Sequence, residues 1–439
     1  MRIGQDTCPE NTAMKKAIKS VLLLLFPPFK RLQKALDEKS MYWEEAVKRN
    51  RELENELASL YKGNRDLMEE LQILKTQIKS LADLHDDVVN RNWENDKREG
   101  MCLFPFTHME ITSNGDVYTC CPAWLKHGYS IGNIYKNKSF EEIWNSQNAK
   151  RLRYSVTEGN FEYCNKYCKW LSYDNESIIG PSPIISRGLG KYRFSGYHEC
   201  NMEITPAVIS LSCDMTCNLY CVPCRSHLRK SSKPEDDKLE NMLETILKPA
   251  LKDCNHLNML GSGEFFFSIP LQKFCKTLTK QDYPTLKITI ITNAQLLTRE
   301  KWNEFENLKG MIGSLVVSVD AAEQQTYESL RRGGKWEKLQ EALSLISEIR
   351  KNNEIEQFRL NFVVQKSNYR QIPDFVIMAK SKKADVVEFQ RIYNLGTFTE
   401  EEFFEIDVMN PKNEYYEEAK GYIEEVLKEQ DIIIEQNIL

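Results

Sequence analysis

The sequence predicts an α/β protein whose main body is a parallel sheet, and three features carry that expectation. From Val208 onward, six short β-rich runs appear: "AVISLS", "HLNML", "KITIIT", "SLVVSV", "FRLNFVV" and "DVVEFQ". An amphipathic helical stretch separates each from the next, and strand then helix, repeated six times, gives a parallel sheet, either a partial barrel or a doubly wound sheet. The 439 residues, 41% hydrophobic and 28% charged, suit a globular chain of about two to four domains with more than one core. Ligands of such sheets gather at the C-terminal strand ends.

Composition narrows the function classes. With 59 basic and 64 acidic residues the formal charge is −5, which gives no broad nucleic-acid surface, and no nucleic-acid partner is expected. No secretory signal opens the chain and no apolar run reaches the eighteen residues or so that span a bilayer, so a cytoplasmic location is expected. Thiols stay reduced there. Clustered cysteines, among the 13 present, then hold a metal or do chemistry rather than form crosslinks. The six histidines are scattered, which argues against a histidine-rich zinc site.

Residues 1–31 contain "VLLLLFPPFKRL", too short to cross a membrane. Residues 20–31 suit a membrane surface, with Lys30 and Arg31 beside the apolar run, or equally a short helix packed on a partner. Residues 32–97 are read as a coiled coil: Leu53, Leu60, Leu67, Leu74, Leu81 and Val88 fall seven apart, and Leu57, Leu71 and Ile78 supply the second apolar position. Asn50 and Asn64 share that second position, where buried amides favour two parallel strands, hence a homodimer; a long helix folded back on its own chain is the other reading. A cysteine-bearing module follows at 98–175, then a linker at 176–205 containing "IIGPSPIISRGLGKY", the sheet unit at 206–396, and an acidic, helical segment at 397–439 that closes the sheet or packs beside it.

"SLSCDMTCNLYCVPCRSH" begins at the end of the first strand, where a parallel sheet presents its site. Cys217, Cys221 and Cys224 are separated by three and then two residues. An iron-sulfur cube serving electron transfer takes four thiolates, whereas a loop giving three leaves one iron open to another ligand. Zinc is the structural alternative, with Cys213 or His227 as the fourth ligand.

The spacing in "CNLYCVPC" resembles the cysteine loop of radical S-adenosylmethionine (SAM) enzymes, in the version found in members with a SPASM domain. That resemblance implies a partial (β/α)6 TIM-like barrel with Cys217, Cys221 and Cys224 holding a SAM-binding 4Fe-4S cluster. "GSGEFF" is similar to the family's Gly-Gly-Glu segment, so Gly261, Gly263 and Glu264 are implied to receive the SAM ammonium group. Ser262 and Phe265 depart from the family pattern there. "TNAQLLT" is similar to the Thr-Asn-Gly segment, placing Thr292 and Asn293 at the cofactor. "SVDAA" places Ser318 and Asp320 where the family reaches the SAM ribose or carboxylate, and in "YESLRRGG" Arg331 offers a guanidinium fork for that carboxylate. Thr292 and Asn293 read equally as a strand-end turn, and Arg331 as a solvated helix charge. The family's chemistry implies reductive cleavage of SAM to a 5'-deoxyadenosyl radical that takes hydrogen from a substrate carbon, with a reductant such as flavodoxin or ferredoxin.

A second cysteine set lies upstream. Cys102, Gly115 and Cys120 have twelve and then four residues between them, Gly115 turning a hairpin through "SNGDVY", and Cys164 and Cys168 return from a later loop. Four thiolates there hold one 4Fe-4S cluster or one zinc. With "GNI" and "EEIWNS" the module resembles a small α+β SPASM domain, which implies one auxiliary 4Fe-4S cluster on Cys102, Cys120, Cys164 and Cys168. Cys121 competes with Cys120, and the module precedes the barrel where the family usually has it following. Cys8, Cys200, Cys213, Cys254 and Cys275 read as packed thiols. The expected reaction is oxidation or epimerisation of a sugar, nucleotide sugar or other small polar metabolite. The alternative is a peptide or protein maturase forming thioether or carbon-carbon crosslinks, and a separate class is a non-catalytic iron-sulfur scaffold or electron-transfer protein.

Overall fold

The computed structural model describes residues 102–437, apart from 127, 160, 166–167, 169–199 and 260–261. The expected coiled coil, the 1–31 segment, Cys8, most of the linker and Gly261 lie outside the described residues.

The six expected strands form where the β-branched runs stand: β4 (Val208–Leu211), β5 (His256–Met259), β6 (Lys287–Thr292), β7 (Ile312–Ser318), β8 (Gln357–Val364) and β9 (Val386–Arg391). They pair in parallel and in sequence order. The fold is a mixed α/β sheet consistent with a partial TIM-like barrel.

Three further strands come from the upstream module: β1 (His108–Ile111), β2 (Asp116–Tyr118) and β3 (Gly132–Asn133). Gly115, at φ +85°, turns β1 into β2 as expected. A Cβ there would sit 2.4 Å from the Tyr135 ring, so the position needs glycine on two counts. β1 also pairs in parallel with β4, His108 opposite Val208 through Ile111 opposite Leu211. The module therefore extends the sheet of the barrel. Trp144 Nε1–H donates to the Ile204 carbonyl at 2.9 Å and Asn145 Nδ2–H to that of Met202 at 2.9 Å, tying the module's helices to the approach of β4.

The C-terminal segment departs from its helical reading. Helices Glu400–Ile406 and Tyr416–Val426 form, but the chain then ends in β10 (Ile433–Gln436), parallel to β9. The run "IIIEQ" completes an edge of the sheet, because pairing with β9 satisfies backbone groups that a lone turn of helix would leave open. The ten strands run β10-β9-β8-β7-β6-β5-β4-β1-β2-β3, an open order in which β3 and β10 are the two edges.

Alternation gives the sheet two unlike faces. Met109, Ile111, Ile209, Leu211, Leu257, Ile288, Ile290, Leu315, Val317, Phe358, Leu360 and Phe389 are buried in one apolar core with residues of the crossover helices. The opposite, inner face is polar. Among the described residues no helix is long and apolar enough to cross a membrane.

Shared pairing has a measurable consequence. Ile111 is fully buried on β1, so Ile111→Ala should cost about 2–5 kcal/mol. Thermal unfolding should move as one transition for module and barrel; a separate module transition with the barrel midpoint unchanged would contradict the shared sheet.

Candidate active site and its two cysteine groups

The loop after β4 is held from three sides. The Cys217 amide donates to the Arg229 carbonyl at 2.9 Å, closing the loop on itself. The amides of Tyr220 and Val222 donate to the carbonyls of Arg332 and Leu330 at 3.1 and 2.9 Å, so the "LRR" segment pins the loop by its backbone. On the third side, the Glu264 amide donates to the Thr216 carbonyl at 2.8 Å. A Cβ on Gly263 would meet the carbonyl oxygens of Thr216 and Asp214 at 2.4 and 2.7 Å, so only glycine lets these two backbones touch.

Each of the three sulfurs receives a donor. Cys217 Sγ accepts from the Leu219 amide at 3.4 Å and faces Asn293 Nδ2 at 3.9 Å; Cys221 Sγ faces Arg331 Nη1 at 3.8 Å; Cys224 Sγ lies 3.3 Å from Arg225 Nε. Burial pushes the Cys217 thiol up to about 11 and raises that of Cys221. A metal must therefore displace protons that these thiols otherwise keep. Soft sulfur ligands, each steadied by an N–H group, fit an iron-sulfur cluster, whose potential such hydrogen bonds tune.

Glu264 is wholly buried beside this loop. Its carboxylate accepts from Thr292 Oγ1–H at 2.6 Å, the Asn293 amide at 2.6 Å and the Phe266 amide at 3.1 Å. Burial raises its pKa, and these three donors oppose the rise. Thr292 and Asn293 thus join the end of β6 to Glu264, and Asn293 Nδ2–H also reaches Asn218 Oδ1 at 2.9 Å. Asp320, after β7, takes a left-handed conformation at φ +65° and pairs with Arg331 at 2.6 Å, while its other oxygen accepts from the Val363 amide at 2.8 Å. Burial opposes the Arg331 charge, but the Asp320 carboxylate together with Cys221 and Tyr327 more than offsets it and holds the guanidinium charged. Arg331 is therefore a paired group at the site rather than a solvated helix charge, and its Nε finds no partner among the described residues. Ser318 ends β7 on the inner face, opposite Asn361 of β8. The described residues of the expected cofactor set thus converge on one end of the sheet.

The second group stands at the other end. β2 runs antiparallel to β1 with Tyr118 opposite Glu110, so Cys120 lies level with the start of β1, and Cys102 precedes the short helix Phe104–Thr107 that leads into β1. Cys164 bridges to Leu125. Burial raises the Cys120 thiol far above its ordinary range, and Cys102, Cys168, Cys164 and Cys121 add to the rise, which places these sulfurs around one another. Cys120 is buried and Cys121 exposed. Four gathered thiols are a donor set that fits an auxiliary cluster. Among the described residues no three His, Cys, Asp or Glu side chains stand close enough to hold a single metal ion. Cys200, Cys213, Cys254 and Cys275 are buried, as read from the sequence.

Sequence reasoning missed a row of residues between the two groups. Register places Tyr118, Glu110, Ser210, Asn258, Thr289, Ser314 and Gln357 opposite one another on seven successive strands, all on the inner face. Asn258 Nδ2 meets Ser210 Oγ at 3.4 Å. Glu110 makes no hydrogen bond or ion pair with the described residues, and burial pushes its carboxyl up to about 7. The signal was present as alternation in "HMEI", but nothing local says which face it meets.

Residues 102–169 match the model of SPASM, an iron-sulfur cluster-binding domain, and residues 215–375 match the radical SAM superfamily. The chain thus carries a radical SAM domain preceded by a SPASM domain, and with them the cofactors these imply: a 4Fe-4S cluster, SAM and auxiliary 4Fe-4S binding. No curated protein matches. Among solved structures, Streptococcus suis SuiB bound to S-adenosylmethionine is similar at 18% identity and TM-score 0.40, over 58% of this chain and 59% of that one. SuiB bound to precursor peptide SuiA is similar at 16% identity and TM-score 0.38, over 61% and 57%. Native anSMEcpe with bound AdoMet and Kp18Cys peptide is similar at 20% identity and TM-score 0.33, over 53% and 62%. This chain thus spans less than two thirds of the length of each.

Two outcomes test the site. Gly263→Ala should weaken SAM binding at least about tenfold, or about 1.4 kcal/mol, by equilibrium binding; unchanged affinity would show that the two backbones can part freely. The folded Glu110 carboxyl keeps its proton from about pH 4.5 to about 7, where the unfolded chain has lost it, so this group's contribution to stability falls as pH rises through that window. Glu110→Gln should flatten the fall in thermal midpoint across those pH values; an identical slope would place Glu110 in solvent.

Proposed function

We propose that the chain is a radical SAM enzyme that modifies a peptide or protein. The observation that carries the substrate reading is the polar row. Seven strands about 4.8 Å apart give a strip of about 29 Å, the length of roughly eight extended residues. It is lined by hydroxyl, amide and carboxyl groups that match peptide N–H and C=O groups. A nucleotide sugar needs cations for its phosphates. The cations flanking the row are already taken: Lys287 by Glu356 at 2.5 Å, and Arg359 by Glu388 and Glu435. Among the described residues the sheet order is open, with β3 and β10 pairing no further strand.

A reduced 4Fe-4S cluster, when bound with SAM, would supply the one-electron reductive cleavage of SAM and, through the adenosyl fragment, abstraction of one hydrogen atom from the substrate. This chain's residues do the rest. Cys217, Cys221 and Cys224 would hold that cluster, and Glu264, fixed by Thr292 and Asn293, together with Asp320 and Arg331, would orient SAM at the strand ends. The row Ser210, Asn258 and Thr289 would align the peptide beneath them, and Glu110 would present a proton to it at neutral pH. Cys102, Cys120, Cys164 and Cys168 would hold an auxiliary cluster at the far end of β1, suited to accept the substrate's surplus electron and make the net reaction an oxidation.

Anaerobically reconstituted, reduced protein should release 5'-deoxyadenosine faster with peptides from a random library than without, and the stimulating peptides should change mass. Asn258→Leu should raise the peptide KM at least about fivefold and leave uncoupled SAM cleavage unchanged. Stimulation by nucleotide sugars and by no peptide would overturn the substrate reading.

A further inference from the structure

We propose that Arg225 is a positioning residue of the SAM-site cluster, holding the Cys224 sulfur in place and raising the reduction potential of the group bound there. The inference rests on the assignment of Cys217, Cys221 and Cys224 as ligands. Its geometry is specific. Arg225 Nη1–H donates to the Met215 carbonyl at 2.5 Å and Nη2–H to the Ser262 carbonyl at 2.5 Å. One carbonyl belongs to the cysteine loop and the other to the turn before Gly263, two segments already locked together by the missing Cβ of that glycine. A planar fork fastened at both outer nitrogens has one direction left for its Nε–H. That direction ends at Cys224 Sγ, 3.3 Å away.

Charge separates Arg225 from the other donors. Leu219 and Asn293 reach Cys217 with neutral N–H groups, and Arg331 at Cys221 is neutralised by Asp320. Arg225 has no carboxylate partner among the described residues, its outer nitrogens being held by two backbone carbonyls. An unneutralised cation within hydrogen-bond reach of a ligand sulfur stabilises the thiolate, and stabilises the reduced state more because that state is more negative. The loop clasp and the easier electron loading are then one interaction.

The test compares full-length wild type, Arg225→Gln, Arg225→Lys and Cys224→Ala after anaerobic reconstitution. It reads iron and sulfide content, thermal midpoint, and the potential at which the SAM-responsive EPR signal appears. Arg225→Gln with full iron should titrate at a more negative potential, with Arg225→Lys between it and wild type. Loss of the SAM-responsive signal from Arg225→Gln at an unchanged thermal midpoint also supports the assignment, since the ligand site fails while the fold stands. A wild-type potential with full iron overturns the proposal, and so does iron loss accompanied by general unfolding. A SAM-responsive signal that persists in Cys224→Ala places the failure in the ligand assignment instead.

Discussion

The site depends on one backbone contact. Thr216 and Gly263 approach so closely that no side chain fits between them, and this fixes the cysteine loop against the turn after β5. Everything that follows is built on that seam. Glu264 takes its place through its amide bond to Thr216, then gathers Thr292 and Asn293; Arg225 spans the same seam from Met215 to Ser262. Strand ends that a barrel merely brings near are thereby held at fixed distances, as preorganised binding of a cofactor requires.

The sheet does for the two sulfur groups what the seam does for one. Because β1 pairs with β4 in parallel, the module's cysteines and the barrel's cysteines stand at opposite ends of one continuous surface. The polar row runs between them.

Local chemistry was legible in the sequence and long-range geometry was not. Three thiols in one loop announce themselves by spacing, because that spacing is a property of the loop alone. The strands β4 to β9 are legible because β-branched runs alternate with helices. β10 was missed because its apolar residues become a strand only against β9; the hairpin of β1 and β2 was legible from Gly115, but the pairing of β1 with β4 was not, because the two lie about a hundred residues apart. Glu110 and Arg225 look like ordinary charges until register or a clasp gives them a direction. The pairing of Asp320 with Arg331 joins two residues that the sequence assigned separately to SAM.

The central claim is that three protein sulfurs at the end of β4 leave an iron for SAM itself to bind. The direct measurement is electron-nuclear double resonance on reduced, reconstituted protein with SAM labelled by 15N at its amino group. A 15N coupling of the size expected for a directly bonded nitrogen is predicted. A reduced cluster whose spectrum carries no such coupling, and is the same with and without SAM, would contradict it.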